Sequence, residues 1–209
     1  MIDPERSEGS LGSLLHLGCG REHLVGWINI DNQPREGVDQ VLDVTHGLPF
    51  SGVQYIFAEH FIEHLAYPDA VALLRECRRV MRADGVLRLS TPSLDWVWAS
   101  HYRLGLDEAD QVRGCVAVNG AFRAWGHQFL YNERTLTATL HDAGFANVVR
   151  CEYGQSAHDG LRGLERHEKS ADLDQLSHIL IVEAWGCNGS APEYLAAPRA
   201  DFLRDMNAK

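Results

Sequence analysis

Short apolar runs that each close on a turn or an acid dominate the first part of the chain. Leu14 to Leu17 stops at Gly18-Cys19-Gly20, Trp27 to Ile30 at Asp31, Val38 to Leu42 at Asp43, and Val53 to Ala58 at Glu59. Runs this short and this apolar predict buried strands. The period then changes. Val71, Leu74, Cys77, Val80 and Met81 recur at steps of three and four behind Pro68 and Asp69, which predicts an amphipathic helix stopped by Asp84-Gly85. Val86 to Leu89 predicts a further strand, ended by Thr91-Pro92.

From Ser93 to Tyr131 the pattern loosens. Trp96, Trp98, Tyr102, Phe122 and Trp125 alternate with His101 and His127 around a helix capped by Asp107 and carrying Ala109, Val112, Cys115 and Val116. A weakly periodic aromatic stretch of this kind predicts a lid or pocket wall, with Trp96, Trp98, Trp125 and Tyr131 as a wall for a ring-shaped ligand or as plain packing. Asn132 caps a second helix with Leu136, Leu140 and Ala143 on one face and Gly144 at its end. Phe145 to Tyr153 and His178 to Trp185 predict two last strands. Strands alternating with helices, then a closing strand pair, describe an α/β fold with a doubly wound, mostly parallel seven-stranded sheet and an antiparallel C-terminal strand pair. The expected organisation is a flexible N-terminus (1–12), one domain (13–186) with an insert (93–131), and a C-terminal tail or arm on the sheet (187–209).

Composition narrows the partners. The 209 residues hold 19 basic and 29 acidic side chains, a net charge of −10, which disfavours polyanions because phosphate backbones are bound through clustered Lys and Arg. Nucleic acid and anionic membranes are therefore not expected. The longest apolar run, Ile179 to Trp185, contains Glu183 and is far too short to span a bilayer. Five cysteines, odd in number and without a CxxC pair, predict a reduced, cytoplasmic chain. The run of Arg75, Arg78, Arg79 and Arg82 reads as the solvated face of a helix. The expected partner is a small-molecule acceptor, and a homodimer is the one protein assembly entertained.

In a doubly wound sheet, ligands sit beyond the carboxyl ends of the strands near the point where strand order reverses. Gly18 and Gly20 leave room for a ligand to approach backbone without a Cβ in the way. Asp31 can accept from two ribose hydroxyls, and Asp43 from an adenine amine. Each acid taken singly is also a plausible helix cap, so it is their serial placement on successive strand ends that carries weight. Gly18 and Asp31 are only thirteen residues apart, and the third glycine of a dinucleotide fingerprint is absent. The compressed crossover favours an adenosyl ligand without a pyrophosphate over a nicotinamide dinucleotide.

The runs LHLGCG (Leu15 to Gly20), WINID (Trp27 to Asp31), VLDVTHGLPF (Val41 to Phe50), YIFAEHFIEHL (Tyr55 to Leu65), LLRECRRVMRADGVLRLSTP (Leu73 to Pro92) and LHDAGF (Leu140 to Phe145) resemble the class I S-adenosylmethionine-dependent methyltransferases, in their small bacterial type 11-like branch. The resemblance implies a Rossmann-like fold. It also implies that Gly18, Cys19 and Gly20 flank the methionine part of S-adenosylmethionine, that Asp31 holds the ribose, and that Asp43 with Val44 meets the adenine. Glu59 and His60 would lie beside the sulfonium. Glu22 replaces the third glycine usual in this loop.

His60, Glu63 and His64 spell HxxEH, an inverted zinc-protease motif when read literally. That chemistry needs both histidines on an established helix, whereas here a strand precedes the motif and Pro68 follows closely. Small-RNA 3′-end and ubiquinone-pathway methyltransferases carry the similar ExxEH, and their metal gathers acceptor hydroxyls. By that resemblance a divalent metal would be held by His60, Glu63, His64 and His127, with zinc or another transition metal preferred over magnesium. The plainer reading is favoured and assigns no metal: Glu63 pairs locally, His64 packs under the sheet and His60 touches cofactor or acceptor. His60 or His127 is then the candidate general base, with Glu63 and His64 in support. The expected function is methyl transfer from S-adenosylmethionine to a small molecule such as a sugar or natural-product hydroxyl or amine. The alternatives are a non-catalytic adenosyl-binding protein and a nicotinamide-dependent oxidoreductase.

Overall fold

A computed structural model of the protein describes residues 14–102, 107–167 and 176–208. The expected flexible N-terminus lies outside the described residues. Strands β1 (Leu14–Leu17), β2 (Ile28–Asp31), β3 (Gln40–Val41) and β4 (Val53–Glu59) precede helix α1 (Tyr67–Val80) and strand β5 (Met81–Pro92). Helices α2 (Leu94–His101), α3 (Glu108–Arg123) and α4 (Glu133–Asp142) follow, then β6 (Asn147–Arg150), β7 (Ile179–Trp185) and α5 (Glu193–Asn207). The seven strands form one sheet in the order β3-β2-β1-β4-β5-β7-β6. β1 to β5 pair in parallel, and β7 runs antiparallel between β5 and β6. From β1 the chain winds outward to β3 and returns to β4 on the other side of β1. The strand order therefore reverses between β1 and β4, which places a ligand crevice at their carboxyl ends.

Alternate residues of a strand face opposite sides of a sheet, and here the two sides differ in kind. One side presents Leu15, Ile30, Ile56, Leu87, Leu89 and Val182 to Val71, Leu74 and Cys77 of α1 and to Leu136 and Leu140 of α4. The other presents His16, Asn29, Glu59, Arg88, Ser90 and Glu183, all buried. Its cover is irregular chain: Leu24, Trp27, Leu161 and Leu164 pack on Phe57 and Val86.

Several boundaries move relative to the sequence pattern. α1 ends at Val80, because Met81 is already extended (φ −72°, ψ 145°) and pairs with Val53. The register then shifts, with Tyr55 opposite Val86, so Arg82 to Gly85 form a bulge pinned by the Arg82–Asp84 ion pair. Pairing with β4 thus overrides the helical period at Met81. β3 has only two residues, both exposed at the sheet edge. Residues 193–207 form a helix where a tail or sheet-bound arm is expected. Phe202 of this helix packs on Tyr67 and Phe129, beside the helical layer, and Pro198 inside it hides the helix from the sequence pattern. Among the described residues no helix is long and apolar enough to cross a membrane.

Candidate functional site

The turn after β1 takes the left-handed conformation at both glycines, φ 63° at Gly18 and 57° at Gly20. A Cβ on Gly18 would stand 2.3 Å from the Phe61 ring, so any side chain there would force Phe61 away. The Gly20 N–H donates to Asp31 Oδ2 at 2.9 Å, and the Gln33 N–H donates to Oδ1 at 2.9 Å. Asp31 therefore ties the glycine turn to the end of β2 and keeps lone pairs free on both oxygens. Burial, reinforced by the negative charge of Asp31, pushes the Cys19 thiol up to about 11 and keeps it protonated.

A cavity of about 500 Å³ opens at the carboxyl ends of β1 and β4, well inside the range of small-molecule sites. Its walls are His16, Gly18 to Glu22, Glu59, His60, Arg166 and His167. Of the eight residues expected around a cofactor, Gly18, Cys19, Gly20, Glu59 and His60 line it, and Asp31 reaches it through its bond to Gly20. Asp43 is turned to local duty. Its Oδ1 accepts from the Thr45 N–H at 3.0 Å and hydroxyl at 2.6 Å, capping the short helix Val44–His46. These bonds hold its carboxyl below the usual carboxylate range. Val44 is buried in the core.

Glu59 is more engaged than its place after an apolar run suggests. The Arg166 N–H donates to both of its oxygens at 3.0 Å, and the His167 N–H donates to Oε1 at 3.2 Å. His167 Nδ1 lies 3.4 Å from Oε2, and the His167 ring stacks on that of His60 at 4.1 Å. His60 itself has a left-handed backbone (φ 47°), a conformation that histidine tolerates better than most residues. His16, Arg166 and His167 join the cavity wall without being expected there. His16 sits mid-strand, its Nδ1 3.1 Å from Asn29 Oδ1, and burial lowers its pKa despite that bond. A polar residue alternating with Leu15 and Leu17 is the signal that marks it. Arg166 and His167 have no periodic context, and only tertiary packing brings them in.

The four residues weighed for metal do not all converge. Glu63, His64 and His127 offer ligand atoms within 4.8 Å of one another, whereas His60 turns Nδ1 toward Glu63 Oε1 at 3.3 Å. Glu63 is fully buried, accepts from the Thr91 hydroxyl at 2.9 Å through Oε2, and leaves Oε1 without a hydrogen bond. Two segments are zipped together here. The N–H groups of Gln128 and Phe129 donate to the Glu63 carbonyl, and the Gln128 side chain donates to the His64 carbonyl at 2.6 Å. His127 Nδ1 lies 2.7 Å from the Ala121 carbonyl, which fixes the ring through that nitrogen and leaves Nε2 as its ligand atom. Two imidazoles and an orphaned carboxylate oxygen fit zinc or another first-row transition metal.

The aromatic residues of the insert form no single wall. Trp98 stacks on Tyr102 at 4.5 Å, Trp96 meets His101 and His178, Trp125 is 79% exposed, and Tyr131 is wholly buried beside Phe129. α3 buries no residue. Arg75 and Arg79 of the basic run pair with Asp142 and Glu76 on the solvent side.

No family model matches the chain, and no curated protein matches it either. Solved structures do. A SAM-dependent methyltransferase from Archaeoglobus fulgidus aligns at a TM-score of 0.54 and 15% identity, over 82% of this chain and 84% of that one. A possible exported protein from Bordetella parapertussis aligns at 0.52 and 13% identity, over 84% of this chain and 62% of that one. The mitomycin 7-O-methyltransferase MmcR aligns at 0.51 and 13% identity, over 87% of this chain but 51% of its own length. The fold is the Rossmann-like methyltransferase fold.

Proposed function

We propose that this protein is an S-adenosylmethionine-dependent methyltransferase acting on a small-molecule acceptor. The observation that carries the reading is the cavity at the strand-order reversal, walled by a left-handed Gly18–Gly20 turn that is bonded directly to Asp31. The methyltransferase fold of the aligned structures agrees with it.

Gly18 and Gly20 let the methionyl part of the cofactor approach backbone, and the lone pairs that Asp31 keeps free accept from the ribose hydroxyls. When bound, S-adenosylmethionine supplies a methyl group already activated on sulfur. What remains for the protein is alignment and exclusion of water, and such positioning is worth up to about 7–11 kcal/mol in favourable cases. His60 is the general base of this reading when the acceptor is a hydroxyl, because it lines the cavity and its Nε2 is buried without a hydrogen bond. His127 lines a second cavity of about 750 Å³ with Phe122, Arg123 and Phe129. That space is read as room for part of the acceptor. A metal held by Glu63, His64 and His127 would stand beside it and polarise an acceptor oxygen.

Calorimetry with S-adenosylhomocysteine tests the reading. Micromolar binding by the wild type, weakened at least tenfold in Asp31→Ala, is expected. Binding of NADH but not of S-adenosylhomocysteine would overturn it. Turnover of an acceptor identified by screening should fall in His60→Ala, and full activity there would remove the base.

A further inference from the structure

The polar side of the sheet holds a charged cluster that the proposed chemistry does not use. Arg88, in the middle of β5, is fully buried, as is the Glu165 side chain. Arg88 Nε donates to Glu165 Oε1 at 2.7 Å, and Nη1 donates to Glu183 Oε1 at 2.6 Å. Glu183 is its directly paired neighbour on β7. The same Nη1 donates to the Gln155 carbonyl at 3.0 Å. Glu165 Oε2 accepts from the Gly154 N–H at 3.2 Å, and the Gly163 N–H donates to the Gly154 carbonyl at 3.0 Å. One guanidinium thus gathers both ends of the segment 154–165. The next two residues, Arg166 and His167, close on Glu59 through their N–H groups and form one wall of the 500 Å³ cavity.

A loop of this length has too few apolar contacts to hold itself in place. Leu161 and Leu164 are its buried anchors, and both lie away from the cavity wall. Burying one positive and two negative groups is expensive unless the bonds are well made, and here they are short and directional. The arrangement runs from the sheet, at Arg88 and Glu183, to the cavity, at Arg166 and His167.

We propose that residues 154–167 are a strap whose end forms one wall of the cofactor cavity, and that Arg88 is the positioning residue that holds it through Glu165. The proposal rests on the reading of the cavity as a cofactor site, and it adds a determinant of affinity far along the chain from the glycine turn and Asp31. Arg88 touches no cavity atom and acts through the strap.

The test compares Glu165→Ala, Arg88→Met and Val182→Ala in the full chain, with S-adenosylhomocysteine affinity by calorimetry and amide hydrogen exchange of the free protein. Glu165→Ala is the informative variant, because it leaves Arg88 paired with Glu183 and should fold even if Arg88→Met does not. It should weaken S-adenosylhomocysteine binding at least tenfold and speed exchange across 154–167 at least tenfold. Val182→Ala removes a buried methyl pair on the helical side of the same strand as Glu183. It should lower the melting temperature while leaving affinity within twofold and strap exchange unchanged. Glu165→Ala with wild-type affinity and wild-type strap exchange overturns the proposal. Equal loss of affinity in Val182→Ala also overturns it, because the triad would then act only through global stability. A wild type that fails to bind S-adenosylhomocysteine overturns the cofactor reading, while faster strap exchange in Glu165→Ala still supports the anchoring.

Discussion

On one side of the sheet Leu15, Ile56, Leu87 and Val182 pack against two helices. On the other side the same four strands carry His16, Phe57, Arg88 and Glu183 beneath irregular chain. Non-directional burial suffices for the first side, and many apolar residues of the right volume would serve there. The second side depends on particular bonds, each of which leaves a buried polar group stranded if its partner is removed. The cavity lies at the edge of that second side, where His16 and Glu59 line it. The difference teaches that the two faces are held by different forces, apolar volume on one and particular polar bonds on the other.

The largest expected effect breaks the polar side. Arg88→Met strands Glu165 and Glu183 in the interior, and removing one partner of a buried charge pair costs about 3–5 kcal/mol. Denaturant unfolding should show that loss, and a loss under about 1 kcal/mol would mean the triad is wetter than its burial indicates. Leu87→Ala on the helical side should lose about 2–5 kcal/mol by the transfer and cavity terms. Its surviving folded fraction should bind S-adenosylhomocysteine as the wild type does. Weak binding in that variant would erase the division between the faces.

Metal binding sharpens the comparison just beyond the carboxyl end of β4. Titration with Zn²⁺ or Co²⁺ should show one site lost in His127→Ala and in His64→Ala and kept in His60→Ala, because His60 stands outside the three-residue group. Cobalt absorbance reports the nitrogen ligands without any need for turnover. A site lost only in His60→Ala would reverse the assignment.

The legibility of this molecule in its sequence follows the same division. The helical side was readable because apolar residues at period two in the strands and at steps of three and four in α1 and α4 report one packed layer directly. The glycine turn, Asp31, Glu59 and His60 were readable because each ends an apolar run. Arg88 and Glu183 were legible only as anomalies, single charges inside otherwise apolar strands, since pairing across β5 and β7 is needed to bring them together. Arg166 and His167 carried no signal at all, because they are placed by bonds to Glu59 that span more than a hundred residues of chain. Asp43 is the ambiguous case. An acid after a strand looks the same whether it meets a ligand or caps the next turn, and here Oδ1 caps through Thr45 while Oδ2 lies 3.1 Å from His46 Nδ1.

The smallest effect is a titration. His16 lies among the polar side's buried groups with its pKa lowered from the ordinary 6.5, chiefly by desolvation, while the Asn29 bond pulls the other way. The folded protein therefore binds fewer protons at this ring than the unfolded chain does once the pH falls below 6.5. Stability rises with pH wherever the unfolded state holds more protons. The contribution is complete above the unfolded value and is lost as the pH falls from there through the lowered folded one. His16→Gln keeps a donor for Asn29 Oδ1 and removes the titration. Its melting temperature should decline less than that of the wild type between pH 7 and pH 5, and each kcal/mol recovered is worth about 2–4 °C in a chain of this size. Parallel curves for the two proteins would mean that His16 is solvated in the folded state, and that the polar side is open to water at the floor of the cavity.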